Sequence, residues 1–227
     1  MAWAFGKAKR DGRAGEIGPD QEYVALDRRE RRIQWYMLSA LILGVLLGGL
    51  GGSLADRVPG WALSIYDPFI FMVLIVVVGS QAVSFGWSLV NGALAAFGSL
   101  VGQLIASVAA HGISPFDGLA GGAGGLNILL LALVALGPLS YVATREDRWG
   151  IAAAGLAAGV ILGEAAEELV LLANGQPYQG WQAAVATSVL LAGVILLVFR
   201  HEALSRLWAL LVALTYSGSY GALVFAL

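Results

Sequence analysis

The stretch IQWYMLSALILGVLLGGLGGSL, residues 33–54, decides what kind of protein this chain forms. It contains no charged residue. A helix rises 1.5 Å per residue and the hydrocarbon core of a bilayer is about 30 Å thick, so about 20 apolar residues cross it. The stretch therefore predicts a transmembrane helix. Six similar runs follow, at residues 64–84, 87–110, 122–143, 149–172, 181–199 and 204–226.

Composition supports the same interpretation. Of the 227 residues, 59% are hydrophobic and only 12% are charged, with a mean hydropathy of +0.79. Soluble proteins carry about 25% charged residues, so this chain has too little polar surface to cover a soluble core. We predict an all-α polytopic membrane protein, with a polar cytoplasmic segment at residues 1–32 and a seven-helix transmembrane domain at residues 33–227.

The basic residues are distributed very unevenly along the chain, and this predicts its orientation. Lys and Arg concentrate on the cytoplasmic side of membrane proteins. With the N-terminus inside and the C-terminus outside, twelve of the 13 basic residues are cytoplasmic, and only Arg57 is not. We therefore expect a multi-pass protein of the cell inner membrane. The twelve are Lys7, Lys9, Arg10, Arg13, Arg28, Arg29, Arg31, Arg32, Arg145, Arg148, Arg200 and Arg206.

Two predicted helices carry glycines at four-residue spacing. They are Gly44, Gly48 and Gly52 in the first helix, and Gly155, Gly159 and Gly163 in the fifth. Small residues on one face let two helix backbones approach closely in a membrane. This glycine-zipper packing is expected within the bundle, with contact to a second copy or a membrane-protein partner as the alternative.

The stretch GEAAEELVLL, residues 163–172, places Glu164, Glu167 and Glu168 in an otherwise apolar helix. The three fall within an arc of about 100°, and Glu167 continues the glycine face. Carboxylates in a membrane helix mark either a working site or the level at which the helix meets the headgroups. Both interpretations stay open. Glu164 lies deepest and is the best functional candidate.

Other polar side chains could join the glutamates. The third helix has a polar flank with Asn91 and Gln103, and the last helix contains TYSGSYG, Thr215–Gly221. We predict a small polar cavity in the outer half of the bundle that binds a substrate or cation. The predicted binding residues are Glu164, Glu167, Glu168, Gln103 and Asn91.

No metal site and no cofactor are expected. The chain has no cysteine, which excludes iron–sulfur clusters, and its last lysine is Lys9, which excludes a retinal Schiff base in the bundle. His111 and Asp117 have the right chemistry for a metal but lack the spacing of ligands. As partners we expect membrane lipids and either a membrane protein or a second copy, and no nucleic acid.

Three functions fit these observations. The first is a permeation unit for a cation or small molecule, or an accessory subunit of a membrane complex. The alternative is an intramembrane enzyme acting on an isoprenoid or lipid, in which Glu164 and Asp67 catalyse acid chemistry like that of membrane terpene cyclases. Asp67 precedes Pro68, and this pair is equally typical of an N-cap followed by proline. A purely structural scaffold is the third.

Two stretches resemble known sequences. RWGIAAAGLAAGVILGEA, Arg148–Ala165, resembles an uncharacterised family of small polytopic actinobacterial membrane proteins, in which a glycine-spaced helix ends in Gly-Glu. GVLLGGLGGSLADRVPG, Gly44–Gly60, is similar to the way such proteins begin. The resemblance implies no activity. The long polar N-terminus and the Glu167–Glu168 pair depart from the pattern.

Overall fold

The computed structural model describes residues 19–54, 57–111, 122–175 and 180–226, with side chains over residues 30–54, 57–110, 130–175 and 180–226. The chain divides into two compact units, Met1–Trp35 and Tyr36–Leu227, and all contacts below lie in the second. The described residues form α-helices and no strand, which confirms the all-α prediction. The helices are α1 (Pro19–Leu54), α2 (Gly60–Tyr66), α3 (Phe69–Ser80), α4 (Phe85–His111), α5 (Gly122–Ala143), α6 (Arg148–Ala173), α7 (Trp181–Phe199) and α8 (Ala203–Ala226).

Five segments of the described chain are long and apolar enough to cross a membrane. Large apolar side chains such as Leu131, Leu190 and Phe225 are exposed on the helices, where acyl chains would cover them. The helices are therefore consistent with an integral membrane protein. The predicted span in α5 appears only as the shorter apolar helix Leu130–Ala143. The predicted span in α6 is not among the five. The five segments are Glu30–Leu54, Gly60–Ser80, Phe85–Ala110, Trp181–Phe199 and Ala203–Ala226.

The second apolar segment is broken in its first half. We predicted one helix over residues 64–84, but the structure has α2 and α3, separated at Asp67 and Pro68. Proline has no N–H, so Pro68 cannot donate the usual helical hydrogen bond to the carbonyl of Ser64. The N-cap interpretation of Asp67 is wrong, because Pro68 occupies the N-cap of α3 and no side chain caps it.

Helices α1 and α4 meet backbone to backbone along a glycine face. A Cβ added at Gly52 would lie 2.8 Å from the Gln103 carbonyl oxygen, and one at Gly98 would lie 2.6 Å from that of Leu41. No side chain fits there, because real Cβ atoms do not approach a carbonyl oxygen so closely. The other contacts of this face pair Gly44 with Ala95, Gly48 with Ser99 and Gly102 with Val45.

Helices α6 and α8 meet in the same way. A Cβ at Gly155 would lie 2.5 Å from the Ala209 carbonyl oxygen, and one at Gly159 would lie 3.1 Å from that of Ala213. One helical turn further along, Gly163 lies against the ring of Tyr220. Helix α6 also packs on α5 and α7, so its glutamates lie among neighbouring helices.

Candidate functional site

The break between α2 and α3 places a carboxylate inside a segment that is long and apolar enough to cross a membrane. Asp67 ends α2, where its backbone N–H donates to the Leu63 carbonyl, 2.8 Å between N and O. Its side chain does not cap a helix. Instead, Nε2 of Gln103 on α4 donates a 2.8 Å hydrogen bond to Oδ2 of Asp67. The predicted residue Gln103 therefore contacts the site through Asp67.

Two of the three glutamates face Asp67 across a cavity of about 160 Å³. Glu164 and Glu168 are four residues apart on α6, and residues at this spacing lie on the same face of a helix. The cavity is thus lined by the α2–α3 break, α6 and the start of α7. Its lining residues are Leu63, Ser64, Asp67, Pro68, Phe69, Glu164, Glu168 and Ala184.

This lining is strongly acidic. Three of its eight residues are carboxylic acids and none is basic. Carboxylates gathered around one small pocket repel each other when they are ionised, because protein surroundings screen charge less than water does. A proton or a cation would relieve this repulsion. The arrangement suits a site that takes up and releases positive charge.

Glu168 also contributes an unsatisfied acceptor. Its Oε2 atom is buried and has no hydrogen-bond partner among the described residues. More than nine in ten buried polar groups in proteins have a partner, so an unpaired carboxylate oxygen requires an explanation. A proton or a hydrogen-bond donor in the cavity would satisfy it.

Glu167 does not line the cavity. It points towards α8, where the hydroxyl of Tyr220 donates a 3.0 Å hydrogen bond to its Oε2. Tyr220 is the residue that lies against Gly163, so Glu167 continues the glycine face of α6, as its spacing predicted. The three glutamates therefore divide between two environments, with Glu164 and Glu168 towards α2–α3 and Glu167 towards α8.

The remaining predicted residues are dispersed. Asn91 is buried in α4, its Oδ1 lacks a partner among the described residues, and it is not part of the cavity lining. Ser217, in the polar stretch of α8, donates within its own helix to the Leu214 carbonyl. The pocket beside Glu164 is lined by residues of α2, α3, α6 and α7 and by none of α8, and of the other predicted binding residues only Glu168 belongs to its lining. His111 and Asp117 lie outside the residues whose side chains are described.

Several site residues escaped prediction from the sequence. Ser64, Phe69 and Ala184 line the cavity, and nothing in their local sequence singles them out. The sequence signal for this pocket was the Asp67–Pro68 pair, because a proline inside an apolar helical run interrupts the helix. Across the described ranges, no three His, Asp or Glu side chains converge closely enough to hold a metal ion.

The chain matches no protein-family model, no curated protein and no solved structure. The resemblance of Arg148–Ala165 to small actinobacterial membrane proteins therefore stays a prediction. Any inference about function has to come from the cavity itself.

Proposed function

We propose that this protein is a seven-span transport unit of the cell inner membrane that binds a proton in the cavity between Asp67, Glu164 and Glu168. The observation that carries the proposal is the broken second span, which places Asp67 opposite two glutamates of α6. Discontinuous helices with charged groups at the break form the ion and substrate sites of many secondary transporters.

Helix directions support seven crossings with alternating orientation. Residue numbers increase together along the α1–α4 contact, from Gly44 beside Ala95 to Gly52 beside Gln103, so these helices are parallel. Parallel helices require one intervening crossing, which α2 and α3 together supply. Helices α6 and α8 are parallel by the same argument, with α7 between them.

The ends of neighbouring helices lie on the sides of the bundle that the same topology requires. Arg200, at the end of α7, donates hydrogen bonds to the carbonyls of Ala143 and Arg145 at the end of α5. These two ends therefore lie on one side, together with Arg148 at the start of α6 and Arg206 in the first turn of α8. Four arginines on one side favour the cytoplasm for it, with the cavity in the outer half.

The cavity volume favours permeation over catalysis on an isoprenoid. Pockets for drug-sized ligands measure about 300–1,000 Å³. At about 160 Å³, the cavity is smaller than that, which favours water or a small ion over a prenyl chain. The three carboxylic acids of the lining also favour permeation, because a pocket for a hydrocarbon substrate is expected to be apolar.

The accessory-subunit alternative loses its main sequence argument. The glycine faces of α1 and α6 were the candidate contacts for a partner, but α4 and α8 of the same chain cover them. Association with a membrane protein or a second copy through other faces stays a prediction.

A flux assay tests the proposal. The purified protein is reconstituted into liposomes that contain a pH-sensitive dye, and a potassium diffusion potential, negative inside, is applied with valinomycin. We expect acidification of the lumen with the wild type and none above empty vesicles with Glu164→Gln. Glu202→Gln is the matched control, because it makes the same chemical change at an exposed residue before α8.

Replacing the proton gradient by sodium or potassium gradients, with a cation-sensitive dye, identifies which ion moves. Wild-type flux in a well-folded Glu164→Gln variant would overturn the proposal.

A further inference from the structure

The first half of the bundle, α1–α4, and the second half, α6–α8, share one pattern of helix packing. In both, a helix with three glycines four residues apart contacts the backbone of the next parallel helix. The first glycine meets an alanine carbonyl, at Ala95 or Ala209, and the second meets the carbonyl four residues later, at Ser99 or Ala213. Each half also contains one antiparallel crossing, which is broken as α2–α3 in the first half and continuous as α7 in the second.

Side-chain hydrogen bonds tie the broken crossing to the first half. The hydroxyl of Tyr66 donates to the Leu47 carbonyl of α1 at 2.6 Å, and Gln103 of α4 donates to Asp67 at 2.8 Å. The two residues at the end of α2 are thus held by both members of the α1–α4 pair. Asp67 would move together with that pair.

The glutamates belong to the second half. Glu164 and Glu168 lie on α6, which the glycine face holds against α8 and which also packs on α7. Tyr220 adds its hydrogen bond to Glu167 within the same half. Between the side chains that the structure describes, no hydrogen bond or ion pair joins α1–α4 to α6–α8 across the cavity.

The halves are in contact at two places: α2 of the first half packs directly on α7 of the second, and α5 packs on both halves. Helix α5 packs on α3 and α4 of the first half and on α6 of the second. Within it, Gly137 allows close approach to both Gly79 of α3 and Gly92 of α4. The cavity therefore lies where the α2–α3 break of the first half meets α6 and α7 of the second half, with α2 packed on α7 beside it.

We propose that the two halves, α1–α4 and α6–α8, rock against each other around the cavity and expose it to the two sides of the membrane in turn. Rocking of two similar halves about a site at their interface is an established form of alternating access. This inference rests on the proposed transport function, and it makes the protein a carrier instead of an open channel.

Spin-label distance measurements test the rocking without depending on flux. The chain has no cysteine, so labels attach only where cysteines are introduced. The pair Ile105→Cys and Leu169→Cys reports across the halves, on exposed positions of α4 and α6. The pair Leu169→Cys and Leu223→Cys is the matched control within the second half, also on exposed positions.

We expect two distances for the pair across the halves in lipid nanodiscs, with a ratio that changes between acidic and alkaline pH. The control pair should give one distance at both. Adding Glu164→Gln should abolish the pH response of the first pair. One unchanging distance across the halves would overturn the rocking, even if flux is observed. Two distances without any flux would support the rocking while the proposed transport function fails.

Discussion

The side-chain amide of Gln103 holds the carboxylate of Asp67 in the gap between α2 and α3, with 2.8 Å between Nε2 and Oδ2. The backbone of Gln103 in turn lies against Gly48 and Gly52 of α1. The orientation of Asp67 therefore depends on a helix contact outside the cavity.

Removing this amide should impair transport while leaving the carboxylate in place. For Gln103→Leu, we expect a higher apparent KM for the transported ion with a smaller effect on the maximal rate, because Asp67 is present but no longer oriented. The proteoliposome assay at several ion concentrations measures both.

The double variant Asp67→Asn with Gln103→Glu provides the stricter test. It restores an amide–carboxylate hydrogen bond with the partners exchanged, so it should recover part of the activity that Asp67→Asn loses. A Gln103→Leu variant with wild-type kinetics, or a double variant no better than Asp67→Asn, would contradict the orienting role.

The glycine face between α1 and α4 should tolerate no added methyl group at its closest point. A Cβ at Gly48 would collide with the backbone of Ser99, whereas one at the neighbouring Gly49 would meet only the Gly102 carbonyl oxygen at 3.8 Å. We expect Gly48→Ala to destabilise the protein by about 1–3 kcal/mol, as overpacking usually does.

Gly49→Ala is the control and should be neutral, since 3.8 Å is an ordinary van der Waals distance. Reversible unfolding of both variants in a mixed-micelle titration gives the two free energies of unfolding. Equal free energies of unfolding for Gly48→Ala and Gly49→Ala would contradict a close backbone contact between α1 and α4.

Arg200 should be important for stability although it lies far from the cavity lining. Its side chain is buried, and its Nη atoms donate to the carbonyls of Ala143 and Arg145, at 2.6 and 2.9 Å. Hydrogen bonds from charged groups contribute about 1.5–3 kcal/mol each, and unpaired carbonyls at the end of α5 would add a penalty. We expect Arg200→Ala to lower the Tm clearly, while the exposed Arg148→Ala changes it little. Equal changes in Tm for Arg200→Ala and Arg148→Ala would contradict a stabilising role for the Arg200 hydrogen bonds.

Asp147 should make stability depend on pH in the acid range. The Gly150 N–H, which donates to Oδ1 at 2.9 Å, holds the pKa of Asp147 below its ordinary value, and the Arg145 guanidinium lowers it further. A group whose pKa is lower in the folded state stabilises the fold above its unfolded pKa. That contribution disappears as the pH falls through the folded value.

The Tm should therefore decrease between about pH 5 and pH 2, where carboxylic acids titrate. Part of this decrease should be absent in Asp147→Asn, which still caps α6 but does not titrate. An identical acid profile for both proteins would contradict the assignment.

The helices could be predicted from the sequence because hydropathy depends on local composition. Each of the seven apolar runs lies mainly on helix in the structure, although α1 begins at Pro19, well before the predicted start at residue 33. The break in the second run could not be predicted in this way. Pro68 has little effect on average hydropathy, and next to Asp67 it resembled the start of a helix instead of an interruption.

The site was only partly predictable for a similar reason. Helical spacing correctly placed Glu167 on the glycine face of α6, and depth singled out Glu164. It could not show which helix lies opposite Glu164 and Glu168, because that depends on packing between segments distant in sequence. Asn91 and Gln103 looked equivalent on α4, yet only Gln103 reaches a residue of the cavity.

The parallel pairing of α1 with α4 has a consequence for biosynthesis. In the proposed seven-span topology, α1 enters the membrane before α4, the helix that covers its glycine face, has been synthesised, because α2 and α3 come first. In the same way, α6 is synthesised before α8, the helix that covers its glycine face. Each helix pair can therefore form only after its second helix has been inserted. Until then, the uncovered glycine face can pair wrongly with other nascent membrane helices.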